Sequence, residues 1–146
     1  MTSMKPPLLF LDFDGVLHPT LCNENELFRL LPDLTRCLAS AVQECQIVIS
    51  SSWRFHWAED EIVAFFPQEL RHRIVGMTGP AVAGRHSRFL EIQAFVAAQR
   101  DVTNWRALDD SVWQFPQTCR ELIACDGSTG FSAREANELR RWLAEP

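Results

Sequence analysis

Two acidic pairs carry the chemistry open to this sequence. Asp12 and Asp14 stand two residues apart where an apolar run ends, LLFLDFDG, and Asp109 and Asp110 close a later one, WRALDD. Carboxylates gathered at one place repel one another unless a cation joins them, and hard oxygen donors of this kind suit Mg²⁺. Beside such a cation one Asp can attack a phosphate ester as a nucleophile and form an aspartyl-phosphate. A second Asp two residues on can protonate the leaving oxygen and then activate water. A third run, IVISSSWR at 47–54, adds hydroxyls. Ser50 can donate to a phosphoryl oxygen, with Ser51 and neighbouring backbone amides in the same turn. The charge that builds up at phosphorus needs a cation. The candidates are Arg54, Arg85 and Arg88; Lys5 precedes the first apolar run and is badly placed to reach.

These residues need a frame that brings distant segments to one rim. PLLFLDF at 7–13 and QIVIS at 46–50 are short and almost wholly apolar, as strands covered on both faces are. IVGM at 74–77, WRALDD at 105–110 and ELIAC at 121–125 read as further strands. Between them, Asp33 is expected to cap a helix over 34–45 that carries Leu34, Cys37, Leu38, Ala41 and Val42 on one stripe. A helical segment is expected late in 53–66 with a turn after Pro67, and another helix over 86–99. Ser132 and Glu135 form a capping box for a last helix over 133–144. This alternation predicts a three-layer α/β fold around a mainly parallel sheet, built as a single domain over 1–146. Ligands in such folds sit at the carboxyl ends of the strands. Both acidic pairs and the serines fall there, and Arg88, opening its helix, can return to the same rim.

Composition narrows the function. The chain has 146 residues, 47% hydrophobic and 23% charged, and a net charge of −5. That balance argues against sequence-independent nucleic-acid binding through a broad basic face. Lys and Arg together number 14, and Lys5 is the sole lysine, so the other cations are arginine. Phosphorylation-dependent receiver domains also gather acids at strand ends, but they need a lysine on a late strand. Five cysteines, an odd number without CxxC spacing, indicate neither a disulfide framework nor a zinc knuckle. No run reaches the ~18 apolar residues of a membrane span, and the opening residues lack a small-residue cleavage site. A reducing cytoplasm is expected. His18, His56, His72 and His86 lack metal-ligand spacing; His18, near the site, reads as a loop histidine before a substrate contact, and Trp53 and Trp57, flanking the serine turn, as packing residues before a base-stacking pair. There is no GxSxG elbow and no GxxxxGK phosphate loop.

The ordered set resembles the haloacid-dehalogenase-like (HAD) phosphohydrolases. LLFLDFDGVLHP resembles their first motif, IVIS their second and ALDD their fourth. DGVLHP, IVISSSWR, RxxEI (Arg88, Glu91, Ile92), WRALDD and LIACDGSTGFS resemble, more narrowly, a small branch known as a domain of multi-domain RNA-repair proteins and as stand-alone bacterial proteins. The resemblance implies a Rossmann-like HAD fold. It implies Asp12 as nucleophile and Mg²⁺ ligand, and Asp14 as general acid/base that binds Mg²⁺ through its backbone carbonyl. Ser50 would hold the phosphoryl group, Asp109 would bind Mg²⁺, and Asp110 would help directly or through water. The sequence departs from the family twice: Val16 stands where many of these phosphatases carry Thr, and an arginine, with Arg88 favoured, must replace the third-motif lysine. Neither usual insertion point, 17–32 or 52–88, has room for a cap domain. The expectation is a capless phosphomonoester phosphatase whose open site suits a bulky substrate, such as a nucleic-acid end phosphate. A small-metabolite or nucleotide phosphatase and a non-catalytic HAD-fold binding module are the alternatives.

Overall fold

The computed structural model describes residues 5–145, so the domain expected over 1–146 extends beyond the described residues at both ends. The chain runs β1 (Leu8–Leu11), α1 (Leu31–Ala39), β2 (Gln46–Ile49), α2 (Glu59–Ala64), α3 (Gln68–Arg71), β3 (Ile74–Met77), α4 (Ser87–Ala98), β4 (Trp105–Asp109), β5 (Leu122–Ala124) and α5 (Ala133–Trp142). Single 3₁₀ turns lie at Glu24–Glu26, Ser52–Phe55 and Val112–Gln114. The sheet order is β3-β2-β1-β4-β5 and every pairing is parallel. The expected mainly parallel sheet is therefore wholly parallel. No separate cap domain interrupts the described residues at either expected point. Among them, no helix is long and apolar enough to cross a membrane.

The apolar runs form strands because both faces of the sheet are covered. On β1, Leu9 and Leu11 point to a core shared with Leu34 and Leu38 of α1 and with Leu139 and Trp142 of α5. Leu8 and Phe10 point to the opposite core, with Ile92 of α4 and with Trp105 and Phe115. Phe10 meets Phe95 and Trp105 edge to face at 5.7 and 5.6 Å. Truncating such a fully buried ring costs about 3–5 kcal/mol.

The helix expected over 34–45 begins and ends earlier. Pro32 fits the first turn, where a missing amide donor is harmless, so α1 starts at Leu31 and Asp33 lies inside it, paired with Arg36. Ser40 ends the helix, which leaves Val42 exposed rather than on the buried stripe. The last helix does open at Ser132, whose backbone N–H donates to Glu135 Oε1 at 2.9 Å.

Strands β1 to β3 progress to one side. The chain then crosses back over α4 to lay β4 on the other side of β1. The sheet direction thus switches between β1 and β4, and a crevice opens there beyond their carboxyl ends. Asp12 and Asp109 stand at that point.

Candidate active site

The turn after β1 is built by its own backbone. Asp12 N–H still donates to Leu108 O at 3.1 Å, and then Val16 and Leu17 N–H both return to Phe13 O at 3.0 and 2.8 Å. Gly15 sits at φ 78°, and a Cβ there would collide with the Asp110 carboxylate, so only glycine meets both demands. The late Gly-rich loop braces the same turn. Thr20 N–H donates to Gly127 O, and Phe131 N–H to Val16 O, each at 2.8 Å. Thr20 Oγ1 donates to Asp110 Oδ2 at 3.2 Å.

Three of the four acids come together. Carboxylate oxygens of Asp12, Asp109 and Asp110 lie within 4.8 Å of one another. Arg88 reaches them from α4, with Nη1 at 2.7 Å from Asp109 Oδ2 and 3.3 Å from Asp12 Oδ1. The other Asp109 oxygen accepts from Ser111 N–H at 2.9 Å. Burial pushes the Asp12 carboxyl well above the usual carboxylate range, and the Asp109 charge adds to it, against the pull of Arg88. Burial likewise raises Asp109, with Arg88 opposing. Burial alone would lower Arg88, but the charges of Asp109, Asp12 and Glu91 leave it raised. One guanidinium therefore serves more acids than it can neutralise. The hard oxygen donors and their uncompensated charge fit a divalent cation.

Asp14 is held apart from that cluster. His18 Nδ1 accepts from Phe28 N–H at 3.2 Å, which places the ring proton on Nε2, 2.7 Å from Asp14 Oδ1. Trp53 Nε1 donates to the other oxygen at 3.1 Å. The hydrogen bond from His18, followed by that from Trp53, holds the Asp14 carboxyl below its ordinary value. His18 is fully buried against Phe28 and Trp53. The sequence reading missed both as partners of Asp14. The spacing Asp14-x-x-x-His18 was the available signal; nothing local to Trp53 gave one.

The other candidates separate clearly. Arg54 is buried and spends its donors on structure: Ser50 O at 2.8 Å, Ser51 O at 3.0 Å, Gly79 O at 3.1 Å and Glu91 Oε1 at 2.8 Å. Glu91 also accepts from Val82 N–H at 3.1 Å and lies 3.9 Å from Arg88 Nε, so it ties the two arginines together. Arg85 is exposed. Ser50 follows β2 beside β1, and its buried Oγ has no partner. The Ser51 hydroxyl accepts from Trp53 N–H at 3.2 Å and caps the Ser52–Phe55 turn. An opening of about 420 Å³ lies over the cluster, lined by Asp12, Asp14, Arg88 and Asp110, with Ser52 rather than Ser50 or Ser51 at its wall.

The arrangement brings the carboxylates of Asp12, Asp109 and Asp110, the separately held carboxylate of Asp14 and the Arg88 guanidinium to one small opening. The family described as "HAD domain in Swiss Army Knife RNA repair proteins" matches the chain over residues 8–136. No curated protein and no solved structure matches it.

Proposed function

Because the chain belongs to the family of HAD domains in Swiss Army Knife RNA repair proteins, we propose that it is a Mg²⁺-dependent phosphohydrolase of phosphomonoesters that works through an aspartyl-phosphate. We read residues 1–146 as one such domain, acting on a bulky substrate and, by the kind of protein that carries this family, on a nucleic-acid end. The observation that carries the reading is the Asp12–Asp109–Asp110 cluster, buried at Asp12 and Asp109, where Arg88 is the cation paired with the acids among the described residues.

Asp12, Asp109 and Asp110 would hold the Mg²⁺ ion, with Asp14 adding its backbone carbonyl. When bound, the ion supplies positive charge against the acids and the phosphoryl oxygens. In the first half-reaction an Asp12 carboxylate oxygen attacks phosphorus, the bond to the leaving oxygen breaks, and Asp14 gives that oxygen a proton. In the second, Asp14 takes a proton from water as the water oxygen bonds to phosphorus. The bond to Asp12 then breaks and inorganic phosphate leaves. The lowered pKa of Asp14 favours the carboxylate, which is the form the second step requires and the opposite of the form the first step requires. Arg88 compensates the charge spread over the transferring group. The unpartnered hydroxyl of Ser50 is a donor for a phosphoryl oxygen, and Ser51 contributes by shaping the turn that carries Trp53. All five cysteines are free, which suits the reducing cytoplasm where we place the protein.

Phosphate release from a phosphomonoester tests the proposal. Wild type should require Mg²⁺ and lose activity on chelation, and Asp12→Asn should lose at least about 10³-fold. Release that survives both chelation and Asp12→Asn contradicts it.

A further inference from the structure

Trp113 is 70% exposed at the wall of the opening over Asp12. The other tryptophans are engaged: Trp53 stacks on Trp57 at 6.2 Å, Trp105 meets Phe10, and Trp142 lies under the Arg106 guanidinium at 5.5 Å. Among the described residues, Trp113 joins no aromatic or cation–π pair. Its mount, however, is fixed. The Val112–Gln114 turn follows directly on Asp109 and Asp110, and Gln114 N–H closes it on Ser111 O at 2.9 Å. Ser87 Oγ donates to Gln114 Oε1 at 2.8 Å, which ties the turn to the start of the helix that carries Arg88. The turn that carries the indole is thus held in register with Asp109 and Arg88, while the Trp113 side chain stays largely exposed.

A second exposed ring lines the same opening. Phe55 is 48% exposed on the turn after β2, backed by the Arg54 guanidinium 4.1 Å from its centroid. Strands β2 and β4 flank β1 on opposite sides, so the turns that follow them border the Asp12 site from two directions. A large apolar ring left bare beside a charged site gains free energy when an apolar or aromatic group of a ligand covers it. A nucleobase is flat, and it stacks on an aromatic side chain through its π-face whatever its identity.

We infer that Trp113, with Phe55 opposite, is a stacking platform for the base of the nucleotide that bears the scissile phosphate, so that the site selects phosphorylated ends of single-stranded nucleic acid over sugar phosphates and phosphorylated side chains. This rests on the phosphohydrolase reading above. Because every base has a π-face, the platform accepts all four bases and discriminates a base from none.

The test compares single-stranded oligonucleotides phosphorylated at the 3′ or the 5′ end, each with an intact or an abasic terminal nucleotide, using wild type, Trp113→Ala and Trp113→Phe. The quantity read is the kcat/KM ratio of intact over abasic ends, which partial misfolding of a variant does not move. Wild type should favour the intact terminus at one end by about 5- to 100-fold. The ratio should fall to about one in Trp113→Ala and recover substantially in Trp113→Phe. A wild-type ratio near one at both ends, or a ratio that survives Trp113→Ala, overturns the inference while phosphate release still upholds the phosphohydrolase. Absence of release from all of these and from p-nitrophenyl phosphate overturns the phosphohydrolase reading, and this inference with it.

Discussion

Two openings of similar size lie at opposite ends of the same sheet, and they differ in the chemistry they hold. The one at the amino ends of the strands, about 520 Å³, is lined by Pro6, Leu8, Val75, Phe95 and Val102, with Lys5, Gln46 and Gln99 as its polar residues. The one at the carboxyl ends, about 420 Å³, holds Asp12, Asp14, Arg88, Glu91 and Asp110. At the amino end, backbone groups are satisfied as each strand begins. Leu8 N–H donates to Asn104 O at 3.1 Å and Gln46 N–H to Pro7 O at 2.9 Å. At the carboxyl end, buried carboxylates outnumber the guanidinium that faces them, and the Ser50 hydroxyl is left without a partner. Volume therefore does not locate the site. Buried charge that the protein leaves uncompensated marks the candidate, because such charge is costly to keep and gathers at functional sites.

The sharpest way to break this contrast is at Arg88. Arg88→Ala would leave Asp12 and Asp109 buried without a counter-charge. We expect about 10²–10³-fold lower phosphate release and a loss of about 3–5 kcal/mol in chemical denaturation. Arg88→Lys should retain part of both. A variant with wild-type turnover would remove Arg88 from the reaction.

Next in size is the support of Asp14. His18→Ala deletes the donor that chiefly lowers the Asp14 carboxyl. Its pKa should rise towards the ordinary value, so the acid limb of the pH–rate profile moves to higher pH, with about a tenfold slower rate at neutral pH. Trp53→Phe keeps a ring but loses the Nε1 donor and should move the same limb less. Unmoved limbs in both would show that Asp14 is not held by this pair. The stability consequence has a definite sign. A carboxyl depressed in the folded state adds stability above its unfolded pKa and loses it as pH falls, so His18→Ala should cost more at neutral than at acid pH.

A smaller effect runs the opposite way. Asp12 and Asp109 have raised carboxyls, so ionising them penalises the fold as pH rises above the ordinary carboxylate range. In metal-free protein at neutral pH, Asp12→Asn should therefore raise Tm by about 2–4 °C, equivalent to about 1 kcal/mol for a chain of this size. Mg²⁺ should narrow that gap, because it stabilises only the wild type. A lower Tm in metal-free Asp12→Asn would contradict the account of the cluster. The smallest catalytic effect belongs to the other opening. Phe95→Ala removes the edge contact with Phe10 and should cost about 1–3 kcal/mol of stability, with kcat of the folded protein within about twofold of wild type.

The strands and the acidic pairs were legible because both depend on short stretches of sequence. Apolar runs such as LLFL and QIVI report burial on two faces, and a parallel sheet then gathers their carboxyl ends whatever the loops do. The bounds of α1 were less legible. Its start depends on Pro32 entering the first turn and its end on where the chain must turn back for Cys45 and β2, so the apolar stripe through Val42 misled. RxxEI favoured Arg88 among the three arginines, and the fates of the other two were not legible in the sequence. Arg88 opens α4 and meets Asp109 and Asp12, whereas Arg54 is consumed by carbonyls from two loops. The clamp on Asp14 joins residues 4 and 39 positions away, and no pattern in the chain marks the second.

The covalent step is the core of the account, and trapping it is the most direct test. Asp14→Asn should slow hydrolysis of the intermediate, whereas its formation from ³²P-labelled p-nitrophenyl phosphate, whose leaving group needs no proton from Asp14, should continue, so acid-quenching that variant after mixing with Mg²⁺ and this substrate should leave label on the protein. The label should map to the peptide containing Asp12 and be absent from the Asp12→Asn protein. Label that persists in Asp12→Asn, or turnover by wild type with no label at Asp12 in Asp14→Asn, would contradict the mechanism.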